Sequence, residues 1–278
     1  MAQSGLARWL LRGVTGLTLA FIYFPLVVIG LYAFNDNITQ AWPIQGYTTK
    51  WFGRALDNEA VRQAFWLSIK AALGATAVAI VLGALASLAV QRYHFFGRET
   101  ISFLVILPIA LPGIVTGIAL NATFNQVLEP IGIQFGLFTI IVGHATFCIV
   151  VVYNNVLARL RRTAQSLEEA SADLGADAWQ TFRYVLLPQL GTALLAGALL
   201  AFALSFDEVI VTTFTAGSQQ TLPLWIFANI SRPNQLPIIN VVALFVIVVS
   251  IIPVYLAQRL TDEPRGIGGG RAPAGPEP

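Results

Sequence analysis

The sequence predicts an all-α membrane protein with about six transmembrane helices. Of the 278 residues, 56% are hydrophobic and 11% are charged, whereas a soluble domain usually carries about 25% charged residues. The apolar residues gather in long runs, and each membrane crossing needs about 20 of them. The chain therefore has room for about six crossings with their loops, and for no additional soluble domain.

Six apolar runs predict the individual helices, and these runs cover residues 12–34, 64–90, 101–122, 137–158, 189–216 and 238–259. They form one predicted membrane domain over residues 1–260. The first run is longer than the roughly 7–15 apolar residues of a secretory signal, and no small-residue cleavage pattern follows it. We therefore expect an uncleaved first helix. Residues 261–278 are rich in Gly and Pro and lack the apolar content to pack, so we expect a disordered tail.

Two of the runs carry further packing signals. The second contains many small residues, among them Gly74, Ala79 and Gly83. Small residues let helix backbones approach closely in lipid, so we expect this helix to lie inside the bundle. The third run contains Pro108 and Pro112, which remove helical hydrogen bonds and predict a kinked helix beside a transport pathway.

The distribution of basic residues predicts the orientation in the membrane. Eleven Lys or Arg residues lie in the N-terminus, in residues 91–100, in residues 159–188 and in the C-terminal tail, and four lie in the opposite loops. Cytoplasmic loops carry the excess of such residues. Both termini and the 159–188 loop are therefore predicted to be cytoplasmic.

Several classes of function lack their sequence signatures. No phosphate-binding Gly-rich loop with a Lys is present, so nucleotide hydrolysis would need another polypeptide. His94 and His144 show no metal-ligand spacing, and Cys148 is the single cysteine. We therefore expect no metal or cofactor in this chain, and the net charge of +2 gives no support for nucleic-acid binding. For His144 two interpretations remain open, a hydrogen-bonded helix contact or a pathway residue.

Residues 159–188 predict two short helices joined by a turn. Ser166 followed by Glu169 fits a capping box at the first helix start. Gly175 suits the left-handed residue that ends a helix. Asp177, with Gln three positions later, can cap the second short helix. On this chemistry alone, a hairpin packed on its own bundle is as good an interpretation as a contact for another subunit.

A spaced pattern runs through the same segment, namely Glu169-Ala170-Ser171, then Gly175 after three residues, then Val185-Leu186-Leu187-Pro188 after nine more. It resembles the EAA loop of type I ABC importer permeases, whose pattern is Glu-Ala-Ala, three residues, Gly, nine residues and Ile-x-Leu-Pro. Ser171 replaces Ala and Val185 replaces Ile. Both changes are small or isosteric.

The resemblance implies a type I permease fold with a cytoplasmic coupling helix that inserts into a groove on a separate ATPase subunit. It implies a second permease subunit, an ATPase dimer that holds ATP and Mg²⁺, and an extracytoplasmic substrate-binding protein as partners. The residues that would couple to the ATPase are Glu168, Glu169, Ala170, Ser171, Asp173, Gly175, Leu187 and Pro188.

Two adjacent acids, Asp207 and Glu208, interrupt the fifth run. A carboxylate at a helix centre costs about 2.5–3.5 kcal/mol on membrane-insertion scales. One interpretation is structural, with one acid capping a helix break and the other contacting a neighbouring loop. The other is a pathway carboxylate that, with nearby aromatic rings, attracts a cationic amine. Adjacent helical residues point in different directions, so we expect one of the two to face the pathway.

The candidate pathway residues are Ser205, Phe206, Asp207, Glu208, Thr212 and Phe214. Residues 204–217, with Leu222-Pro223-Leu224-Trp225-Ile226 after them, resemble the spermidine/putrescine branch of the permease family, which implies a polyamine substrate. An amino-acid derivative, a phosphonate or ferric iron remain alternatives. A stand-alone channel or carrier lacks any filter-like segment. An intramembrane Ser protease lacks a nucleophile elbow and a His base beside Ser205.

Overall fold

The computed structural model describes residues 5–261, which form α-helices joined by short segments. The helices are α1 (Gly5–Ala33), α2 (Lys50–Asp57), α3 (Glu59–Arg92), α4 (Arg98–Ala110), α5 (Gly113–Val127), α6 (Leu137–Leu160), α7 (Ser166–Asp173), α8 (Ala178–Thr181), α9 (Leu187–Phe206), α10 (Ile210–Thr215), α11 (Leu222–Asn229) and α12 (Leu236–Thr261). Within this range, five helical segments are long and apolar enough to cross a membrane, and one bent pair of helices passes the same test when taken together, which gives up to six spans. The predicted fold class is confirmed. The predicted tail lies outside the described residues beyond Thr261.

The centre of the bundle is α3, which packs against α6 and α9. Ala75 and Ala79 are fully buried there. A Cβ atom on Gly83 would lie 2.9 Å from the Ile149 carbonyl oxygen and 3.0 Å from the Tyr153 amide nitrogen. The backbones of α3 and α6 therefore touch at Gly83, and the prediction that small residues place the second run inside the bundle is confirmed.

The third apolar run is two helices, so its prediction as a single helix over 101–122 is wrong. α4 ends at Ala110 and α5 begins at Gly113, and the two axes differ in direction by 106°. Leu111, with φ −84° and ψ 143°, is extended because the ring of the following Pro112 disfavours the helical conformation. Pro108 lies inside α4. The predicted kink is a complete break, and Pro112 is its cause.

The fifth run is also interrupted, which contradicts the predicted single helix over 189–216. Residues 178–206 are helical without a gap, through a π-helical turn at Phe182–Leu186. The helix then ends at Phe206, and α10 begins at Ile210. The Glu208 carboxylate accepts a hydrogen bond from the Val211 amide at 2.9 Å. This side-chain acceptor satisfies a backbone N–H at the start of α10, as an N-cap does, and so favours a new helix over continuation.

The turn predicted at Gly175 in the 159–188 loop is present in the structure. Gly175 has a φ of 83°, the left-handed conformation that glycine adopts without steric cost. Its amide bonds the Ala172 carbonyl at 2.8 Å, and the Ala176 amide bonds the Ser171 carbonyl at 3.1 Å. This pair of hydrogen bonds is a Schellman motif, which closes α7.

The two predicted caps of this loop have opposite outcomes. The Asp177 carboxylate accepts from the Gln180 amide at 2.8 Å, and the Gln180 side chain accepts from the Asp177 amide at 2.9 Å. The capping box of α8 is therefore confirmed. The box predicted from Ser166 and Glu169 is wrong, because Ser166 is the first helical residue and Gln165, which makes no side-chain cap, holds the N-cap position. A capping side chain needs the non-helical backbone of the N-cap residue.

The contact at Gly83 predicts that Gly83→Ala destabilises the fold. The added methyl group would meet backbone atoms of α6, which cannot move without shifting the helix, so we expect a loss of about 1–3 kcal/mol. The measurement is the thermal midpoint of the purified chain in detergent. Gly16→Ala is the matched control, because a Cβ there meets nothing within 4 Å. Equal midpoints for the two variants would contradict the close contact of α3 with α6.

Candidate functional site

The breaks in the third and fifth runs meet at one cavity of about 160 Å³. Its lining comes from α4, α5, α6, α9, α10 and the segments that follow α4 and α9, and consists of Pro108, Ile109, Leu111, Gly113, Thr116, Phe147, Leu204, Glu208 and Val211. The wall is therefore mostly apolar, with one carboxylate. Such a cavity beside discontinuous transmembrane helices is where solute sites lie in many transporters.

Glu208 is the acid that lines this cavity. One of its carboxylate oxygens, Oε1, accepts from the Val211 amide, and its side chain is half-buried. Asp207 is exposed and does not line the cavity. The structure therefore supports the expectation that one acid of the pair faces the candidate pathway. The structure also agrees with one part of the structural interpretation, because the same carboxylate caps the start of α10.

The cavity wall also contains a hydroxyl and an aromatic ring, from two residues that the sequence analysis did not identify. The Thr116 hydroxyl is buried without a hydrogen-bond partner among the described residues, and Phe147 contributes an aromatic ring. A carboxylate, a hydroxyl and a ring face can together hold a cationic group through charge, a hydrogen bond and a cation–π contact. Pro108 was visible as a helix breaker, but no local pattern marks Thr116 or Phe147, since only the tertiary packing brings them to Glu208.

Ser205 and Thr212, both predicted as pathway residues, contact His144 and do not line the cavity. The Ser205 hydroxyl lies 2.8 Å from His144 Nδ1, and the Thr212 hydroxyl lies 2.8 Å from His144 Nε2. All three side chains are buried. Thr212 also donates to the Glu208 carbonyl at 2.7 Å. His144 thus bridges the two sides of the break in the fifth run, which agrees with its interpretation as a helix contact. The expectation that no His lies beside Ser205 is wrong, because the two residues are 61 positions apart in sequence and only the packing of α6 on α9 brings them together.

Phe206 and Phe214, the remaining pathway candidates, also pack away from the cavity. Phe206 stacks on Phe202 with ring centroids 6.1 Å apart. Phe214 fills the space beside Gly117, and its carbonyl accepts from the Asn121 side chain at 2.7 Å. The two rings support α9 and seat α5 on α10. Of the six candidates, Glu208 alone is part of the cavity wall.

The predicted coupling residues of α7 and its C-terminal turn divide into outward and inward groups. Glu169, Ala170, Asp173 and Gly175 are exposed. Next to them, Leu174 is 89% exposed. This face of α7 and its turn is therefore open to contact with another molecule.

Two other residues of α7 point into the protein. The Ser171 hydroxyl lies 3.0 Å from the Thr181 hydroxyl and joins α7 to α8. Glu168 Oε1 forms an ion pair with Arg92 Nη2 at 2.6 Å. Leu187 and Pro188 are the first residues of α9 and follow the π-helical turn directly, so Pro188, which has no N–H to donate, lies inside the continuous helix over residues 178–206.

The sequence has clear relatives. Residues 79–263 match the protein family described as "Binding-protein-dependent transport system inner membrane component". The chain is 33% identical over 248 residues to the putrescine transport system permease protein PotI of Escherichia coli (strain K12), which covers 86% of this chain and 87% of PotI. It is 32% identical over 244 residues to the spermidine/putrescine transport system permease protein PotC of Haemophilus influenzae, which covers 87% of this chain and 92% of PotC.

Solved structures share the fold at low sequence identity. A chain of a bacterial ABC transporter that imports alginate superposes with a TM-score of 0.70 at 15% identity, over 93% of this chain and 98% of that chain. A chain of the MetNI methionine ABC transporter superposes with a TM-score of 0.58 at 16% identity, over 72% and 92%. The fold and family implied by the loop pattern are confirmed. This chain therefore belongs to the family of inner membrane components of binding-protein-dependent transport systems.

Proposed function

We propose that this chain is the permease subunit of a polyamine importer and forms half of the pathway for putrescine or spermidine. The observation that carries the proposal is the 33% identity, over 86% of this chain, to a permease named for putrescine transport. Relatives named for spermidine and putrescine together are 31–32% identical over 87–95% of this chain. The carboxylate in the cavity supports the same substrate class, because polyamines are cations at neutral pH.

The cavity suggests how a polyamine is held in transit. One ammonium group pairs with Glu208 and lies against the ring of Phe147, while the neighbouring methylene groups contact Leu204 and Val211. Glu208 Oε1 remains on the Val211 amide, so the carboxylate keeps its position as solute arrives and leaves. A fixed carboxylate surrounded by apolar side chains attracts the cation but binds it weakly enough for release.

The partners follow from the same proposal. A second permease subunit completes the pathway, an ATPase dimer binds ATP and Mg²⁺ and contacts the exposed face of α7, and an extracytoplasmic binding protein delivers the solute. A related fold was solved with a periplasmic protein bound to alginate pentasaccharide, which supports this kind of assembly. Closure of the ATPases moves α7, and the bundle rocks to expose the cavity to the other side.

The proposed orientation places α7 and both termini in the cytoplasm of a bacterium. The support is the excess of basic residues in the segments on that side, which is the usual pattern of inner membrane proteins. The exposed Glu169, in the first turn of α7, is then in water.

We predict that Glu208→Gln raises the half-saturating putrescine concentration for uptake about tenfold, because a hydrogen bond to a charged group contributes about 1.5–3 kcal/mol. Glutamine retains an oxygen that can accept from Val211, so the cap of α10 is kept while the charge is lost. The measurement is radiolabelled putrescine uptake by the reconstituted importer. Asp207→Asn, the same change on the neighbouring exposed acid, is expected to have the smaller effect. A larger effect of Asp207→Asn than of Glu208→Gln would assign the cation contact to Asp207 instead.

We predict that Gly175→Pro abolishes putrescine-stimulated ATP hydrolysis while the chain still inserts into the membrane. Proline cannot adopt the φ of 83° and has no N–H to donate to Ala172, so the turn after α7 is lost. The assay is ATPase activity of the reconstituted complex. Gly175→Asn is the control, since Asn tolerates the left-handed conformation, and it should keep most of the stimulation. Full stimulation in the Pro variant would contradict the coupling role of this turn.

The orientation predicts the side from which single cysteines react. Trp42, which is 76% exposed, and Ala164, which is also exposed, lie in loops proposed to be on opposite sides. Trp42→Cys should react with a membrane-impermeant maleimide in intact cells, and Ala164→Cys only after permeabilisation. The native Cys148 is fully buried and should give no background. Labelling of Ala164→Cys in intact cells would show that this loop lies outside the cytoplasm and would contradict the proposed orientation.

A further inference from the structure

An ion pair joins the candidate coupling helix to the central helix of the bundle. Arg92 is the last residue of α3, and Glu168 lies in the first turn of α7. The Nη2 and Oε1 atoms are 2.6 Å apart, and the two side chains are only 12% and 22% exposed. Neither atom has another partner among the described residues, so each charge is compensated by the other. Shielding from water makes the attraction between the two charges stronger than at an open surface.

The main packing contacts of α7 are local. α7 packs against α8 and the π-helical turn, and the Ser171–Thr181 contact joins the same two short helices. These contacts hold the hairpin together. Of the two side-chain ion pairs found among residues 5–261, the other one joins Lys50 to Asp36 in a different loop. The Arg92–Glu168 pair is thus the charged contact that extends from the hairpin to α3.

α3 can carry a displacement from Arg92 towards the cavity. Its backbone touches α6 at Gly83, and it packs along α6 and α9. α6 holds His144, whose ring is hydrogen-bonded to Ser205 and Thr212 on either side of Glu208. Close-packed helices move as units and do not deform continuously. A contiguous packed route therefore runs from Arg92 to the cavity carboxylate.

We propose that the Arg92–Glu168 ion pair is a positioning contact through which movement of α7 is transmitted to α3. The inference rests on the proposed function, in which α7 is moved by an ATPase. It also assigns the two glutamates of α7 different tasks. Glu168 faces the bundle and pairs with Arg92, whereas Glu169 is exposed and free to face another chain. Neither Arg92 nor Glu168 lines the cavity.

The first test is a charge exchange in the reconstituted importer, with putrescine uptake per ATP hydrolysed as the readout. Arg92→Glu and Glu168→Arg should each lower this ratio about tenfold, because each places like charges in contact at a shielded site. The ATPase subunit should still copurify. The double variant Arg92→Glu/Glu168→Arg should recover to within about threefold of the native ratio, short of complete because each exchanged charge opposes its helix dipole.

Glu99→Arg is the matched control. Glu99 is an exposed glutamate in the first turn of α4, the next helix after Arg92, and the change in charge equals that of Glu168→Arg. This variant should leave the ratio unchanged. The inference would be overturned if the double variant took up no more putrescine per ATP than the less active single variant. It would also be overturned if both single variants kept the native ratio.

The second test separates this inference from the proposed function. Hydrogen exchange of the amides of residues 166–181 is measured on the purified full chain, without partners or solute. Each single variant should exchange about fivefold faster, because α7 opens locally more often, and the double variant should return towards the native rate. Unchanged exchange, or faster exchange with unchanged coupling, would overturn the inference. A native complex that takes up no polyamine would overturn the proposed substrate alone.

Discussion

A helix that breaks inside an apolar bundle exposes backbone groups that lipid cannot satisfy, and the whole site depends on how this chain satisfies them. At the break after Phe206, the Glu208 carboxylate accepts from Val211, and Thr212 donates to the Glu208 carbonyl. His144 then joins Thr212 to Ser205 across the break. The irregular backbone is stable there because polar side chains of the same chain replace water.

The same arrangement explains why one acid can be both structural and functional. Glu208 caps α10 with one oxygen and still lines the cavity. The Glu208 backbone is held by Thr212, which is hydrogen-bonded to the buried His144. Leu111, at the break between α4 and α5, forms another part of the cavity wall. Two interruptions far apart in sequence therefore create one site. This geometry also accounts for the mostly apolar lining, since each break is surrounded by transmembrane helix.

Local chemistry predicted the local features, and long-range packing decided the rest. Apolar runs gave the helices, Pro112 marked a break, and Gly175 and Asp177 marked the turn and cap that the structure contains. The fifth run was predicted as one helix because apolar residues resume after Asp207 and Glu208, although an acid that caps a helix break was one of the two interpretations of that pair. Ser205 lies 61 residues from its partner His144, and no spacing rule reports such a contact. For the same reason Glu168 could not be distinguished from Glu169 before α3 and α7 were seen together.

The continuous helix over Ala178–Phe206 has a mechanical consequence. Its 29 residues span about 43 Å at 1.5 Å per residue, from the hairpin at one end to the cavity break at the other. For a helix of that length, a tilt of about 5° at the base shifts the far end by about 4 Å. The π-helical turn at Phe182–Leu186 lies near the base, where a small change in winding would be magnified most.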